Sequence, residues 1–284
     1  MHWISRCLQL CLFATLLPAV LQAQSKPNAL TEKEVAEGWI LLWDGETTFG
    51  WESHGKAEWK TSDGIISASS GDNGWLGTTT PFGDFVLKAD FRTGPDGNSG
   101  IFLRAASEGE PHKTGYELQI FDEHKEYKTG SLVNYLKAKA VRTTPNQWHT
   151  FEVRATGDLF VVKLDRKTLL NARDKSHSVG HIGLQYNKDK KIEFRNLKLK
   201  PLGLNPIFNG KDLTGWKKVN SPDLSRGTPE WSIRNGIIHV ERGPGQIETE
   251  QTFQDFVFQL DIRTNPRDSN HHPNSGVFFR GDKG

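Results

Sequence analysis

Two neighbouring stretches of the chain alternate polar and apolar residues, a pattern that predicts strands with one packed face. They are residues 98–104 and 115–124. In the second stretch, Glu117 and Gln119 lie two residues apart, so their side chains should project from one face about 6.6 Å from each other. Such a pair suits adjacent groups of one sugar ring, and Arg104 offers a cation to the same face. The alternative is a solvated strand face on which Arg104 forms only a structural ion pair with Glu117.

The elements that position these side chains follow an N-terminal segment with the features of a secretory signal peptide. Arg6 precedes an apolar run over residues 8–20, which is too short to span a bilayer. Cys7 and Cys11 are the two cysteines of the chain. The protein after residue 23 therefore has neither disulfides nor thiol chemistry. We expect it to be secreted or periplasmic.

The charge of the chain is nearly balanced, with 36 Lys and Arg against 34 Asp and Glu. The basic residues are scattered, so nothing indicates a nucleic-acid partner. No later apolar run predicts a membrane span, and the sequence gives no indication of an oligomeric state.

The chain repeats itself with a shift of about 165 residues. Asp44-Gly45 and Trp51 return as Asn209-Gly210 and Trp216. The segments at residues 59–66, 84–93 and 98–104 recur in order at 231–238, 255–264 and 274–280. A period this long indicates two copies of a domain rather than a solenoid. The second copy has no counterpart of the stretch that contains Glu117.

The first copy is β-rich throughout. Segments with the pattern of strands are residues 85–92, 100–104, 116–121, 148–155, 159–165, 182–187 and 192–200. Asp63-Gly64 and Asp96-Gly97 are typical turn sequences, and Thr31 with Glu34 predicts one or two helical turns over residues 31–38. Many short strands without alternating helices predict an all-β sandwich or jelly roll.

These observations predict five segments. They are a signal peptide (1–23), an N-terminal segment (24–37), a complete β domain (38–200), a linker (201–206) and a second, incomplete copy of that domain (207–284). We expect any activity to reside in residues 38–200. We also expect the second copy to be continued in a longer two-domain protein, because its matching sequence stops just after a strand.

Short motifs run in order through residues 38–200. They are Leu42-Trp43-Asp44-Gly45 with Trp51, Trp59 with Asp63-Gly64, Asn98-Ser99-Gly100-Ile101 with Arg104, Tyr116-Glu117-Leu118-Gln119-Ile120 with Asp122, Thr129-Gly130-Ser131, Gln147-Trp148, Gly183-Leu184-Gln185 and Phe194-Arg195-Asn196-Leu197. In these motifs the chain resembles the 3-keto-disaccharide hydrolase domain family. The resemblance implies a concanavalin A-like jelly roll whose concave sheet holds sugar. It also implies a secreted enzyme that cleaves glycosides oxidised at C3.

The implied substrate class gives the polar residues expected roles. A ketone at C3 acidifies the C2 hydrogen, so proton abstraction can expel the C1 oxygen before water adds back. Such a site needs a base, an enolate stabiliser and an acid. The expected catalytic residues are Glu117, Asp122 and His124 as proton carriers, with Arg104 at the enolate oxygen. The expected substrate-binding residues are Asn98, Ser99, Gln119, Gln185 and Asn187. Alternatively, Asp122 caps a turn and His124 is plain surface.

The chain departs from the family pattern at three places. The family commonly has His-Gly after the Leu-Gln pair, where this chain has Tyr186-Asn187-Lys188. The Gly-Ala-Ile-Tyr run is replaced by Ser131-Leu132-Val133-Asn134, and the Trp-Asn pair by Trp148-His149. These differences point to a different substrate or to a lost catalyst.

Other functions stay open at this point. A carbohydrate-binding module without catalysis has the same fold, because fold does not fix function. A retaining glycosidase would need two carboxylates about 5–5.5 Å apart, and the Glu-x-Asp-x-Glu strand of laminarinases is absent. No cofactor is indicated with certainty. Calcium is a candidate, since Asp96, Asn98 and Asp122 carry oxygen ligands that suit it.

Overall fold

The computed structural model describes residues 27–223, 225–254, 256, 258–264 and 274–279. The expected signal peptide lies outside these residues. The helices are α1 (Glu32–Ala36) and α2 (Pro111–Thr114). The strands of the first unit are β1 (Ile40–Leu41), β2 (Trp51–Ser62), β3 (Ile65–Thr78), β4 (Phe85–Thr93), β5 (Ser99–Ala105), β6 (Tyr116–Ile120), β7 (His149–Thr156), β8 (Leu159–Leu164), β9 (Lys167–Arg173), β10 (His181–Tyr186) and β11 (Ile192–Pro201). Those of the second unit are β12 (Trp216–Asn220), β13 (Glu230–Arg234), β14 (Ile237–Glu241) and β15 (Gly245–Thr249).

The first unit, Met1–Leu202, contains one curled antiparallel sheet of eleven strands. Its order is β6-β5-β10-β3-β11-β4-β7-β8-β9, with β1 on β11 and β2 on β3. The long strand β3 pairs through residues 74–77 with β10 and through residues 66–68 with β11. Because one half of β3 pairs with β10 and the other half with β11, β3 belongs to both layers of the sandwich. This is the concanavalin A-like jelly-roll sandwich expected from the sequence.

A single hydrophobic core fills the space between the layers. Leu118 of β6 and Leu184 of β10 belong to the same buried cluster as Phe151 of β7 and Val162 of β8. All four are 0% exposed. The side chains that alternate with Leu118 and Leu184 therefore point away from the core, as the period of a strand requires. This alternation sets which residues are available to a ligand.

The short helix α1 begins as the sequence predicts. The side chain of Thr31 accepts a hydrogen bond from the backbone of Glu34, and the Glu34 carboxylate accepts one from the backbone N–H of Thr31. This reciprocal capping box satisfies two backbone donors that the helix leaves free. Lys198 of β11 also donates to Glu34, at 2.9 Å, which ties the helix to the sheet. Among the described residues, no helix is long and apolar enough to cross a membrane.

The second unit, Gly203–Gly284, repeats local contacts of the first. Trp51 donates Nε1–H to the carbonyl oxygen nine residues earlier at 2.7 Å, and Trp216 does the same at 3.0 Å. Asp44 accepts the backbone N–H groups two and three residues ahead, as does Asn209. The described residues 256, 258–264 and 274–279 lie outside strands. The counterparts of Asp84 and Arg104, at positions 255 and 280, lie outside the described residues.

Arg104 lies in the core and not on the face that carries Glu117. Its φ of 54° interrupts the alternation of β5, and the neighbouring strand β10 shows a register shift at the same level. The side chain is therefore turned inward, and the residue is 1% exposed. Its guanidinium donates to the carbonyl oxygens of Gly83 (2.9 Å), Gly157 (2.8 Å) and His177 (3.0 Å) and to the carboxylate of Asp84 (3.0 Å). The expectation that Arg104 faces the site or pairs with Glu117 is wrong.

Replacing Arg104 with Met should destabilise the first unit by about 3 kcal/mol, because the variant leaves buried acceptors without their donor. The value lies at the low end for a buried ion pair, since the Asp84 side chain is 38% exposed and water can solvate it. Urea unfolding of the full chain measures the change. Arg142→Met is the matched control, because Arg142 is 78% exposed in its pair with Glu123 and should matter by less than about 1 kcal/mol. Equal unfolding midpoints for the two variants would contradict the assignment.

Candidate functional site

One row of residues runs across five strands on the outer face of the β6-β5-β10 layer. Its members are His54 of β2, Trp75 of β3, Gln185 of β10, Gly100 of β5 and Gln119 of β6, and we call it the Gly100 row. Three neighbouring pairs are cross-strand partners, and the pairing of Leu184 with Ile101 places Gln185 beside Gly100. Gly100 leaves a gap between Gln185 and Gln119, whose backbones are about 10 Å apart, two inter-strand spacings.

Glu117 fills part of this gap from the adjacent position on β6. A Cβ atom added to Gly100 would lie 3.0 Å from Cγ and 3.2 Å from Oε1 of Glu117, so the absence of a side chain there gives the carboxyl its room. Glu117 is 9% exposed. Among the described residues the hydrogen-bond partner of its carboxyl is Gln185, whose Nε2 donates to Oε1 at 3.0 Å. Burial raises the pKa of the Glu117 carboxyl, and the hydrogen bond from Gln185 lowers it only in part.

The direction of the Gln185 hydrogen bond is fixed by a chain of amides. Asn187 donates Nδ2–H to the backbone carbonyl of Asn98 at 3.3 Å, and that oxygen can only accept. The same amide nitrogen donates to Oε1 of Gln185 at 3.1 Å. The end of Gln185 that faces Glu117 is therefore its N–H donor. Oε1 of Glu117 accepts, which leaves Oε2 as the oxygen that carries the proton when this carboxyl is neutral.

Gln119 lies at the end of the Gly100 row and is 4% exposed. Its backbone pairs with the segment that contains Gly130 and Ser131. The N–H of Gln119 donates to the carbonyl of Ser131, and the carbonyl of Gln119 accepts from Gly130, both at 2.9 Å. Its side-chain Oε1 is buried and has no hydrogen-bond partner among the described residues. Buried polar atoms without a partner are rare in folded proteins.

The row also contains two aromatic residues that the sequence analysis did not select. Trp75 stacks on His54 with ring centroids 4.1 Å apart and an interplanar angle of 11°. Its ring covers Gly77 and Gly183, since an added Cβ at these positions would lie 2.4 Å and 2.5 Å from ring atoms. The sequence contains a pattern that indicates this packing. Trp75 and Gly77 lie two residues apart in one strand, so a large ring and a position without a side chain share the same face.

Asp122 and His124 have hydrogen-bond partners in the segment that follows β6. Asp122 follows β6 and accepts hydrogen bonds from the hydroxyl of Thr129 and from the backbone and side chain of Thr143, the last two at 2.7 Å and 2.9 Å. His124 Nδ1 accepts the backbone N–H groups of residues 126 and 127. Both residues thus hold the turn after β6, as the alternative for Asp122 predicts.

The five expected substrate-binding residues fall into two groups. Asn98, Gln119, Gln185 and Asn187 lie with Glu117 on the outer face. Ser99 is 0% exposed, and its hydroxyl donates to the backbone carbonyl of Gln185 at 2.7 Å. Ser99 therefore ties β5 to β10 from within the sandwich.

Of the three oxygen-bearing residues named for calcium, Asp96 and Asp122 line one cavity, and Asn98 is not among its lining residues. Asp96 pairs with Lys190 at 2.6 Å, Asn98 contacts Asn187, and Asp122 holds the turn. Within the described part of the chain, no three His, Cys, Asp or Glu side chains are arranged to hold a metal ion.

Comparison with known proteins shows the family. The model of the 3-keto-alpha-glucoside-1,2-lyase-like domain matches residues 38–200 and, a second time, residues 203–284. The chain belongs to this family. Both segments of the chain, residues 38–200 and 203–284, therefore match the same family.

Two relatives of this chain are informative. A 3-keto-disaccharide hydrolase of Bacteroides thetaiotaomicron is 31% identical over 118 residues, which cover 37% of this chain and 41% of that protein. A candidate glycosyl hydrolase of Parabacteroides distasonis, known from a crystal structure, is 23% identical with a TM-score of 0.56. The match covers 62% of this chain and 100% of that one, and it shows the fold.

Replacing Glu117 with Gln should stabilise the protein at neutral pH. Burial raises the folded-state pKa above the ordinary value of 4.5, so above that pH the folded state holds more protons than the unfolded state. The free energy of unfolding of the wild type then falls as pH rises towards the raised pKa. Gln carries no such proton, so the advantage of the variant should grow through this range by at most about 1.4 kcal/mol per pH unit.

Urea unfolding at a series of pH values between about 3.5 and 8, spanning the ordinary Glu pKa, measures this difference. The control is Glu108→Gln, which removes an exposed carboxyl of a loop and so measures the effect of losing one surface charge. A difference between Glu117→Gln and wild type that stays constant over the whole pH range would rule out a raised pKa.

Proposed function

We propose that this protein is a secreted enzyme that cleaves 3-keto-disaccharides or related 3-keto-glycosides by elimination followed by hydration. The observation that carries the proposal is Glu117. It is a buried carboxyl without a cation partner among the described residues, held at Oε1 by Gln185 and placed over the gap at Gly100. Burial raises the pKa of this carboxyl above its ordinary value, and a carboxylate with a raised pKa is a stronger base once it is ionised.

The proposed elimination needs a base that removes the hydrogen from C2 of the substrate. The C3 ketone of the substrate acidifies the hydrogen on C2, and Glu117 takes it as a proton. The electron pair of the broken C2–H bond forms the C1–C2 double bond of an enone as the C1–oxygen bond breaks. The departing oxygen takes up a proton from water, and Glu117 releases its proton to water. Water then adds across the double bond, so the net reaction is hydrolysis. Oε2 of Glu117 is the atom that accepts the C2 proton, because Oε1 already accepts from Gln185.

The pH dependence follows from the same assignment. Glu117 must be ionised to act as the base, and burial raises its pKa. The value of kcat/KM for the free enzyme should therefore rise with pH through this raised pKa, above the ordinary value of 4.5.

The enolate oxygen has to be stabilised without Arg104, which lies in the core. The described residues that share the face with Glu117 offer amide groups, from Gln119, Gln185 and Asn98. Asn187 stands where the family commonly has a His-Gly motif, and an amide cannot act as a base. In this chain Asn187 instead orients Gln185, which leaves the proton transfer to Glu117.

The names of related proteins support the substrate class. The family description contains the word lyase, which denotes elimination, and the relative from Bacteroides thetaiotaomicron is named a 3-keto-disaccharide hydrolase. That match covers 41% of the relative's length, so its activity is carried over here as part of the proposal. Secretion or export to the periplasm rests on the signal-peptide pattern of residues 1–23.

A carbohydrate-binding module without catalysis is the second candidate. It is favoured by the loss of three expected catalytic residues from the face: Arg104 lies in the core, and Asp122 and His124 hold a turn. Glu117 and the neighbouring amides would then bind sugar hydroxyls without transferring a proton. Under this function the unoxidised disaccharide would bind as well as its 3-keto derivative, and neither would be cleaved.

Elimination leaves an isotopic record that distinguishes the candidates. Cleavage of a 3-keto-disaccharide in deuterated water should place deuterium at C2 of the released keto sugar, because the C2 proton is exchanged with solvent. Glu117→Gln should reduce kcat by about 10²-fold or more, the usual loss for a general base, while Glu108→Gln should keep full activity. Mass spectrometry detects the label. Cleavage without label, or full activity of Glu117→Gln, would contradict the mechanism.

A further inference from the structure

The carboxyl of Glu117 lies away from the residue that faces it on the neighbouring strand. That residue is Phe102, the cross-strand partner of Glu117. Cγ and Oε1 of Glu117 instead lie 3.0 Å and 3.2 Å from the position that a Cβ atom of Gly100 would occupy. Gly100 is two residues from Phe102 on the same face of β5, opposite Gln119. The side chain of Glu117 is therefore displaced along the strand, from the position opposite Phe102 into the gap over Gly100.

The ring of Phe102 fills the position that this carboxyl avoids. Its neighbours Ile101 and Leu103 belong to the core of the sandwich, so Phe102 points to the outer face. It is nevertheless 2% exposed and belongs to a separate apolar cluster that includes Trp75. The two rings meet edge to face, with centroids 5.8 Å apart and an interplanar angle of 83°. Cδ2 of Phe102 also lies 3.1 Å from the position of an added Cβ at Gly183, so Trp75 and the backbone of β10 hold the ring in place.

Phe102 shields Glu117 on the side of β5. The Cβ atoms of directly opposed residues in an antiparallel pair are about 4.5–5.5 Å apart, so the ring begins beside the side chain of Glu117. A phenyl ring donates no hydrogen bond to a carboxylate, and it excludes water from the space that it occupies. Phe102 therefore contributes to the burial that raises the pKa of the Glu117 carboxyl.

The charged and titratable groups around Glu117 have other partners. On β10, Gln185 is neutral, and Nδ1 of His181 contacts the carbonyl oxygen of Thr78 at 2.5 Å. The segment beside β6 contributes the backbone N–H of Val133, which donates to the backbone carbonyl of Glu117. Helix α2 packs against β5 and β6. Its two titratable residues and the carboxylate with which both pair are His112, Lys113 and Glu110. Within the described part of the chain, burial and the hydrogen bond from Gln185 therefore control the ionisation of Glu117.

We propose that Phe102 is a positioning residue for the proposed reaction, which directs the Glu117 carboxyl into the gap over Gly100 and keeps water away from it. With a small residue at position 102, the carboxyl gains a second position opposite that residue, where it is farther from Gln185 and open to water. The fraction of molecules in which Oε2 is placed for the C2 hydrogen then falls. The inference rests on the proposed function for the reaction, whereas the placement of the carboxyl can be measured without any substrate.

The test compares the full chain with its Phe102→Ala and Phe102→Leu variants. NMR titration of the ¹³C-labelled side-chain carboxyl carbon of Glu117 should give a lower midpoint for Phe102→Ala, closer to the ordinary value of 4.5. On a 3-keto-disaccharide, Phe102→Ala should lower kcat about tenfold or more, because the base is misplaced. The rise of kcat/KM with pH should move to lower pH in the same variant. Phe102→Leu keeps a large apolar side chain and should behave nearly as wild type in all three measurements.

Phe151→Ala is the control for a loss of stability without a change beside Glu117. Phe151 is 0% exposed in the core between the layers, so its truncation also leaves a cavity. The midpoint of Glu117 and the pH profile should stay as in wild type. If either Ala variant does not fold, Val replaces Ala at both positions, with the same directions expected. Equal shifts of the midpoint in the Phe102 and Phe151 variants would show a general loosening of the fold and would overturn the role of Phe102.

The outcomes also separate this inference from the proposed function. A midpoint that falls in Phe102→Ala alone, with no cleavage by wild type, would support the role of Phe102 in holding the carboxyl and contradict the enzyme. Cleavage by wild type, with an unchanged midpoint and pH profile in Phe102→Ala, would overturn the role of Phe102 and leave the enzyme standing. An unchanged midpoint together with no cleavage by wild type would overturn both.

Discussion

The hydrogen bond from Gln185 to Glu117 is the contact on which the orientation of the Glu117 carboxyl depends. A backbone carbonyl can only accept, so the carbonyl of Asn98 determines the orientation of Asn187 and, through it, of Gln185. The hydrogen bond from Asn187 to the Asn98 carbonyl thus decides, through Gln185, which oxygen of Glu117 is free. Because no cation accompanies this contact among the described residues, desolvation controls the ionisation of Glu117.

Small residues make the outer face able to hold buried polar and aromatic groups. Gly100 leaves space for the Glu117 carboxyl, and Gly77 and Gly183 leave space for the ring of Trp75. None of these three has a positive φ, so the reason for glycine is the missing side chain and not the backbone conformation. A methyl group at any of them would push a neighbour out of place, which links the glycines of the family motifs to the shape of the site.

Much of this arrangement could be predicted from the sequence, but the features that depend on local backbone geometry could not. Simple alternation placed Glu117 and Gln119 on one face, as observed. It failed for Arg104, because a single residue with φ of 54° turns that side chain into the core. The predicted strands also omitted β2 and β3, although the Asp63-Gly64 turn between them was predicted. They omitted β9 as well, which pairs with β8 through a turn at Asp165 and Arg166. Both turn residues have positive φ, without the Asn-Gly or Asp-Gly sequence that usually marks such turns.

The most direct measurement of the central claim is the pKa of Glu117 itself, obtained by NMR titration of its side-chain carboxyl carbon in the ¹³C-labelled full chain, with Glu117→Gln used to assign the resonance. We expect a midpoint clearly above the ordinary value of 4.5, because the carboxyl is buried with one neutral partner. We also expect Gln185→Leu, which removes that partner, to raise the midpoint further. A midpoint at or below the ordinary value would show that Glu117 is solvated or paired with a cation, and the proposed proton carrier would be contradicted.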